Sequence, residues 1–415
     1  MTVKKLNSYL EKKSIRAETI DNYESLKVLG VSNKEGITIT DHKKSIDLSK
    51  YQLIEEGDFA YNPYRINVGS IGLTPKGVKG LVSPAYVVFK TNKNLLPDLL
   101  LDFLKSKDGL FQINKYARGT VRKALRFDDL CLIEMTVFDT IKQKRILKKR
   151  DSVKLEIDKI DIELHNQQTL LKKLRQQILQ DAIEGKLTKE WREQNLDVEP
   201  ASELLKRIEA EKQQLIKDKK IKKQKPLPEI TDDERPFTLP ESWEWCRLVD
   251  IMLIHYGKGL TKSQTKPIGK YAVYGSNGIV GYYDKGLTDK RAIIIGRKGS
   301  AGAIQVSDIG SWTTDVAYYV EESSELVFEY MIFLLKSLNL DMLGKGVKPG
   351  LNRNEAYLLN IPFASYKEQK EIVKKVEKLF AICDQLEAQI SSSQTNAEQL
   401  MQSVLKEAFS QDSAA

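Results

Sequence analysis

The residues best suited to chemistry in this sequence are two cations set among glycines. Arg297 and Lys298 lie in GRKGSAG, Gly296–Gly302, directly after the apolar run Ala292–Ile295. Backbone amides freed by glycine, together with two positive side chains, suit the binding of a phosphate. A solvated turn after a strand explains the same composition equally well, so both interpretations stay open.

A second loop lies just upstream, in YGSNGIVGYY at Tyr274–Tyr283. Its glycines, tyrosines and asparagine are typical of a tight exposed loop that presents aromatic and amide groups to a partner. Asn277-Gly278 between apolar runs also predicts a plain β-hairpin turn, and the two interpretations are compatible. Tyr274, Ser276 and Asn277 are therefore candidate contacts.

The first half of the chain contains a counterpart of this region. The apolar run Gly57–Ala60 is followed by a polar, cationic loop, a glycine and another strand. Farther along each half lies a basic loop that contains glycine, and a repeated basic loop is more specific than a stray run of charge. Side chains of these types contact phosphates or read base edges. The further candidate contacts in these loops are Tyr61, Asn62, Tyr64, Arg65, Asn67, Arg118, Arg122, Lys123, Arg126, Lys345, Lys348 and Arg353.

No catalytic site can be drawn from the sequence. Asn62-Pro63-Tyr64 lacks the second proline of the motif with which amino-methyltransferases hold a flipped base, and no glycine-rich cofactor loop precedes it. Gly257–Ser263 lacks the glycine before lysine that a P-loop requires. No serine, cysteine or histidine constellation indicates a nucleophile, so the chain is predicted to be non-catalytic.

Composition indicates a globular protein of two to three domains. The chain has 415 residues, of which 41% are hydrophobic and 30% charged. Its three cysteines are far apart and show no metal-binding spacing with its three histidines, so neither a zinc site nor a disulfide is expected. No segment has the pattern of a signal peptide or a membrane helix, and a cytoplasmic location is expected.

The formal net charge of the chain is +9, and the excess of positive charge lies in two windows. Lys142–Lys154 and Lys206–Lys225 each carry a net charge of +6, so the rest of the chain sums to −3. Net charge alone is thus no sign that the globular parts bind a polyanion. The first window lies at the start of a predicted long helix. The second lies in a linker, where solvation is expected.

An internal repeat organises the chain. Residues 118–185 align without a gap on residues 344–411 at a constant offset of 226, with fifteen identical positions. In both copies short mixed segments give way to a helical pattern whose apolar residues recur three and four apart, as in a coiled coil. Two helices of about 40 residues, each on the order of 60 Å long, are expected to pair as antiparallel neighbours. A parallel pair across a homodimer is the alternative.

Ahead of each long helix, short apolar runs bounded by Gly, Pro and Asn predict a small α+β domain. The predicted strands are Lys27–Val31, Gly57–Tyr61, Gly69–Leu73, Ala85–Phe89, Arg247–Leu253, Tyr271–Tyr274, Arg291–Gly296, Ala303–Val306 and Val316–Val320. Helices are predicted at Leu96–Leu110 and Glu325–Leu338. Between the halves, charge and proline predict a linker with one helical patch near Ala201–Ile216.

Several strings resemble the specificity (S) subunit of type I restriction-modification systems, and the resemblance covers nearly the whole chain. They are LPESWEWCRL (Leu239–Leu248), YGSNGIVGYYD, GRKGSAG, LNIPFASYKEQKEIVKKVEKLF (Leu359–Phe380) and LRQQILQDAIEGKLTKEWREQN (Leu174–Asn195). Nothing like LPESWEWCRL precedes the first domain.

The resemblance implies an α+β fold with two small target-recognition domains in tandem repeat. Each domain is followed by a long helix, and the two helices pair as an antiparallel coiled-coil spacer. The implied divisions are a first target-recognition domain at residues 1–140, a central coiled-coil helix at 141–186, a charged linker at 187–240, a second target-recognition domain at 241–364 and a C-terminal coiled-coil helix at 365–411.

The resemblance also implies a DNA-binding subunit without catalysis of its own. Each domain would read one half of a split target in double-stranded DNA, and the helices would set the spacer and dock two methyltransferase (M) subunits. Restriction (R) subunits complete the complex, and S-adenosylmethionine, ATP and Mg are expected on these partners. The alternatives are a coiled-coil scaffold with two protein-binding domains and an autonomous modification or restriction enzyme.

Overall fold

The computed structural model describes residues 2–33, 35–40, 47–119, 122–223, 227–261, 263–344 and 350–409. The chain divides into two units, one formed by residues 1–166 and 390–415 and the other by residues 167–389. Each unit contains one small α+β domain and parts of two long helices. No helix in the described segments is both long enough and apolar enough to cross a membrane.

The first domain consists of short strands and short helices. The strands are β1 (Thr2–Lys5), β2 (Leu10–Lys13), β3 (Lys27–Ser32), β4 (Gly36–Ile39), β5 (Gln52–Ile54), β6 (Phe59–Tyr61), β7 (Ile71–Leu73), β8 (Gly80–Val82), β9 (Val87–Thr91) and β10 (Glu134–Val137). The helices are α1 (Pro97–Lys105), α2 (Lys107–Tyr116) and α3 (Phe127–Leu130). The strands form sheets in the orders β2-β9-β6-β7 and β4-β3-β8-β5, and β1 pairs with β10.

The core of the first domain joins the β2-β9-β6-β7 sheet to α1 and α2. Phe59 and Phe89 stack with their ring centroids 4.7 Å apart, and Leu100 and Ile113 from the helices are buried in the same cluster. Each large apolar side chain contributes about 1.5–3 kcal/mol when fully buried, so this cluster fixes the strands that carry the loops. The four predicted strands are confirmed. The helix predicted as one is broken at Ser106, whose hydroxyl accepts from the amide of Gly109 and caps α2.

Helix α4 (Thr140–Ile183) begins just after β10. Gln143 in its first turn is fully buried, and its amide donates to the carbonyl oxygens of Asn94 and Phe138, both at 2.8 Å. Its side-chain oxygen accepts from the amide of Leu96 at 2.8 Å. Leu96 precedes α1, so Gln143 satisfies groups that helix ends leave without intrahelical partners. The long helix is thereby fastened to the small domain.

The described part of residues 187–240 includes the α-helices α5 (Lys189–Glu193) and α6 (Ala201–Lys217), and the predicted helical patch is confirmed. The ammonium group of Lys212 donates to the carbonyl oxygen of Val249, which holds α6 against the second domain. Burial lowers the pKa of Lys212. The solvation expected for the basic window of this segment is therefore wrong at Lys212.

The second domain and its long helix follow. The elements are β11 (Glu244–Arg247), α7 (Leu248–Ile251), β12 (His255–Tyr256), β13 (Tyr271–Gly275), β14 (Gly278–Tyr283), β15 (Ala292–Gly296), β16 (Ile304–Ser307), β17 (Trp312–Thr313), β18 (Ala317–Glu321), α8 (Phe328–Ser337), α9 (Arg353–Tyr357), β19 (Asn360–Phe363) and α10 (Tyr366–Phe409). The sheet orders are β12-β18-β15-β16 and β14-β13-β17, and β11 pairs with β19.

Most predicted elements of this domain are confirmed, and one is wrong. The strand predicted at Arg247–Leu253 is replaced beyond its first residue by the short helix α7. The carboxylate of Asp250 accepts a hydrogen bond from the amide of Arg247 at 2.7 Å, which closes a helical turn where apolar residues alone had indicated a strand.

The two domains share the topology of one four-stranded sheet. The sheets β2-β9-β6-β7 and β12-β18-β15-β16 are antiparallel throughout, and the bounds of α4 and α10 differ by 226, the offset of the repeat. Gln369, the equivalent of Gln143, donates to the carbonyl oxygen of Ala364 at 3.0 Å and accepts from the amide of Val327 at 3.1 Å. The predicted repeat and the α+β fold class are confirmed.

Helices α4 and α10 run antiparallel in the second unit. Arg175 pairs with Asp384 at 2.5 Å, and Nζ of Lys375 donates to the carbonyl oxygen of Leu187, just beyond the end of α4, at 2.8 Å. The partner on α10 lies earlier in the chain as α4 advances, which confirms the predicted antiparallel pairing. In the first unit Lys149 of α4 pairs with Glu407 of α10 at 2.9 Å.

The apolar seam of these helices is narrower than the sequence indicates. The residues buried at intervals of seven are Ile157, Leu164, Leu171 and Ile178 on α4 and Val376, Cys383, Ile390 and Ala397 on α10. Four other apolar residues of the predicted three-and-four spacing are at least 41% exposed, namely Ile160, Leu174, Leu386 and Leu400. Spacing alone cannot separate a buried position from its exposed neighbour at the edge of a coiled coil.

Candidate nucleic-acid interface

The two candidate loops of the first domain lie side by side. One connects β6 to β7, and the other connects α2 to α3. The amide of Leu125 in the second loop donates to the carbonyl oxygen of Pro63 in the first at 3.0 Å. The hydroxyl of Tyr61 donates to the carbonyl oxygen of Leu125 at 3.1 Å. The fold thus brings together candidate residues that are far apart in the sequence.

Tyr61 is itself a core residue. Its side chain has no exposed surface, and its ring meets that of Phe89 edge-on with the centroids 6.0 Å apart. Burial raises the pKa of its hydroxyl far above the usual value. Direct contact with nucleic acid, which the sequence predicted, would require the side chain of Tyr61 to leave the core. Tyr61 lies at the end of a strand buried on both sides, and its hydroxyl supports the neighbouring loop.

The other candidates of the first domain lie at or near the surface. Tyr64 is 58% exposed, and the amide of Tyr64 donates to the side-chain oxygen of half-buried Asn62 at 3.0 Å, which closes the turn. Arg118 is exposed but pairs with buried Asp129 at 2.7 Å. The remaining exposed candidates are Arg65, Asn67, Arg122, Lys123 and Arg126. None of their four cations has a carboxylate partner within the described residues, so these positive charges are available to an anion.

The second domain repeats this arrangement with different residues. The amide of Leu351 donates to the carbonyl oxygen of Arg297 at 2.8 Å, just as Leu125 donates to Pro63. The hydroxyl of Tyr318 donates to the carbonyl oxygen of Leu351 at 2.9 Å. Leu125 and Leu351 are equivalent positions of the repeat. In both domains the segment before a short helix therefore docks on the loop after a central strand.

Strands β13 and β14 form the hairpin that Asn277-Gly278 predicts. Asn277 is exposed at its turn, where its side-chain oxygen accepts from Nε2 of Gln305 at 3.3 Å. A Cβ atom on Gly296 would lie 2.6 Å from the carbonyl oxygen of Ser276, so only glycine allows this contact between the hairpin and the neighbouring loop. Two candidate segments of the second domain are thus adjacent.

Tyr274 has a supporting role in this hairpin. It is 8% exposed, and its hydroxyl donates to the carbonyl oxygen of Val306 at 3.3 Å, which ties β13 to β16. Direct contact with nucleic acid, which the sequence predicted, would require the ring to leave this position. Lys298 is exposed, whereas Lys345 and Lys348 lie outside the described residues.

Arg297 and Arg353 are brought together by Tyr256, which no sequence pattern singled out. The guanidinium carbon of Arg297 lies 5.1 Å from the centroid of the Tyr256 ring, and that of Arg353 lies 4.6 Å from it. Tyr256 ends β12 and is 47% exposed. Tyr256 could have been found from its position directly before Gly257–Ser263, but that segment was interpreted only as an incomplete P-loop. Arg297, Tyr256 and Arg353 are called the Arg-Tyr-Arg cluster below.

Comparison with known proteins identifies the second half of the chain. Residues 240–393 match the family model for the type I restriction modification DNA specificity domain. The chain is 35% identical over 269 residues to the type I restriction enzyme EcoEI specificity subunit of Escherichia coli. It is 34% identical over 269 residues to the EcoAI specificity subunit of the same organism. Each alignment covers 57% of this chain but only 43% and 44% of the respective relative, so the chain spans less than half of each relative's length.

Solved structures share the fold over the whole chain. A chain from a study of complex assembly and conformational transition of the type I R-M system aligns with a TM-score of 0.70, 15% identity and coverage of 99% of this chain and 98% of that one. The HsdS subunit from Thermoanaerobacter tengcongensis aligns with a TM-score of 0.51, 16% identity and coverage of 99% and 97%. The resemblance to type I specificity subunits predicted from the sequence motifs is confirmed.

Proposed function

Since residues 240–393 carry the type I restriction-modification DNA specificity domain, we propose that this protein is the sequence-specific DNA-binding subunit of a type I restriction-modification complex. Each of its two recognition domains reads one half of a bipartite target in double-stranded DNA. The subunit performs no catalysis itself.

One observation carries this proposal: the two domains present the same pair of adjacent loops with different side chains. Equivalent backbone hydrogen bonds, from Leu125 to Pro63 and from Leu351 to Arg297, hold the loops together in both copies. Phosphate contacts position a protein on DNA, and contacts to base edges give it specificity. A backbone arrangement that both domains share, with different side chains on its loops, is what two readers of different half-sites require.

The paired helices extend the proposal to spacing and assembly. Helices α4 and α10 contain 44 residues each, which corresponds to about 66 Å at 1.5 Å per residue. They set the spacer between the half-sites and dock two M subunits, and R subunits join the full complex in the cytoplasm. These partner subunits bind S-adenosylmethionine, ATP and Mg.

Mapping of adenine methylation in a host tests the proposal. We expect a bipartite methylated motif only when this chain and its cognate M subunit are expressed together. Methylation by this chain alone would contradict the proposal in favour of an autonomous enzyme. A complex that neither methylates nor retains DNA would instead favour a coiled-coil scaffold with two protein-binding domains.

A further inference from the structure

The Arg-Tyr-Arg cluster of the second domain is fixed by backbone groups. Nη1 of Arg297 donates to the carbonyl oxygen of Asp315 at 2.9 Å. Nη1 of Arg353 donates to the carbonyl oxygen of Ile254 at 3.1 Å. Each guanidinium thus combines an aromatic neighbour with a hydrogen bond, so its position is set before any partner arrives. A charge held in place loses less conformational entropy on binding than a free one.

The two positive charges of the cluster are not neutralised. Neither Arg297 nor Arg353 forms an ion pair within the described residues, and Asp315 offers Arg297 only its backbone oxygen. Nε of Arg353 is buried and has no hydrogen-bond partner there. Like charges near one ring repel each other, and a buried donor without an acceptor is unfavourable. An anion at this surface would compensate the charge.

The fold does not require the cluster, because the first domain builds the same topology without it. Pro63 takes the place of Arg297, since its carbonyl oxygen accepts the equivalent hydrogen bond from the paired loop. Phe127 takes the place of Arg353 at the repeat offset of 226 and likewise begins a short helix. The two guanidinium groups are therefore an addition of the second domain.

We propose that the Arg-Tyr-Arg cluster binds phosphate of the DNA backbone, an assignment that rests on the proposed function. Both guanidinium groups are positioned by the Tyr256 ring and by a backbone carbonyl oxygen, so each presents its charge at a fixed place. A phosphate is recognised largely by charge and position, and this arrangement supplies both.

The salt dependence of DNA binding tests this assignment. In the full chain purified with its M subunit, we expect Arg297→Gln and Arg353→Gln each to lower the slope of log K against log salt concentration by about 0.9. Each weakens binding about tenfold, because a charged hydrogen-bonding group is lost. The loss is the same on specific and non-specific duplexes, and the methylated motif is unchanged. Arg353→Lys keeps the charge and retains the slope.

Arg291→Gln is the matched control. Arg291 lies in the same domain and also contacts an aromatic ring, that of Phe328 at 4.4 Å, but it pairs with Glu322 at 2.7 Å. Its substitution is expected to leave the salt slope unchanged. Thermal unfolding of every variant identifies any loss of binding that comes from misfolding, and Arg297→Gln provides the test if Arg353→Gln does not fold.

Three outcomes would overturn the assignment. One is a changed base preference in a half-site with an unchanged slope, which would make these residues base readers. Another is a slope and affinity that neither substitution alters. The third is that the cluster binds a free anion and not DNA. In that case inorganic phosphate at matched ionic strength would raise the thermal stability of the wild type, and the salt slope of DNA binding would stay unchanged in both variants. A wild-type complex that retains no duplex would contradict the proposed function itself.

Discussion

Glu368, in the first turn of α10, is a carboxylate without exposed surface. Its oxygens accept hydrogen bonds from Nε1 of Trp243 at 2.7 Å, from the hydroxyl of Thr188 and from the guanidinium of Arg192. These donors belong to the start of the second domain and to the segment after α4. A single buried charge therefore joins three parts of the second unit, and Trp243 and Arg192 both lie in the strings that resemble the specificity subunits. In the first copy the equivalent position is Lys142.

Substitution of Glu368 by alanine is expected to lower the free energy of unfolding by about 3 kcal/mol, because it leaves the buried indole N–H of Trp243 without an acceptor and removes the carboxylate that pairs with the half-buried guanidinium of Arg192. Chemical denaturation of the full chain measures this change. Glu377→Ala, at an exposed position of the same helix, is the control and is expected to have almost no effect. Equal stability of the two variants would show that the buried network contributes little.

Residue types in the sequence predicted the location of the candidate site well. They predicted less well which of its side chains are exposed. Arg65, Asn277 and Lys298 are exposed as expected. Tyr61 and Tyr274 are not, because a tyrosine that ends a buried strand satisfies its hydroxyl within the core. Whether the ring of such a residue faces the core or the solvent depends on the sheet packed against it, which local sequence does not describe.

At the scale of elements, the internal repeat was the feature of the sequence that predicted the fold best. Identical residues such as Gln143 and Gln369 fasten each long helix to its own domain, so their hydrogen bonds explain why the two copies retain them. The structure of the linker was predicted least well. Charge and proline predicted a solvated segment, but α6 packs on the second domain through partners such as Val249, which are distant in the sequence.

The helices give a prediction of their own. Insertion of seven residues into both α4 and α10 at facing positions lengthens the pair by about 10 Å, close to the rise of three base pairs. We expect a methylated motif with a longer spacer, or loss of DNA binding, while the half-site bases stay the same. Adenine-methylation mapping measures the spacer length and the half-site bases.

An insertion of equal length between α5 and α6, at residues 194–200, is the control, because it leaves both long helices unchanged. Its target is expected to be that of the wild type. Altered half-site bases with an unchanged spacer after the helix insertions would contradict the assignment of α4 and α10 as the spacer.

At the scale of the whole molecule, net charge is a poor guide to function. Part of the basic window at the start of α4 is neutralised inside the first unit, where Arg150 pairs with Asp102 at 2.7 Å and Lys149 pairs with Glu407. Further exposed cations lie on the short loops of the two domains, such as Arg122 and Lys298. In the proposed function, DNA recognition depends on the positions of individual charges and on the repeated arrangement of the loops that carry them.

The central claim is that each domain reads one half of the target. Exchange of the loops at residues 274–302 for those of another specificity subunit, followed by adenine-methylation mapping with the M subunit, tests it most directly. We expect new bases in one half-site, with the other half-site and the spacer length retained. Changes in both half-sites, or a motif that stays the same although the exchanged protein folds, would contradict the claim.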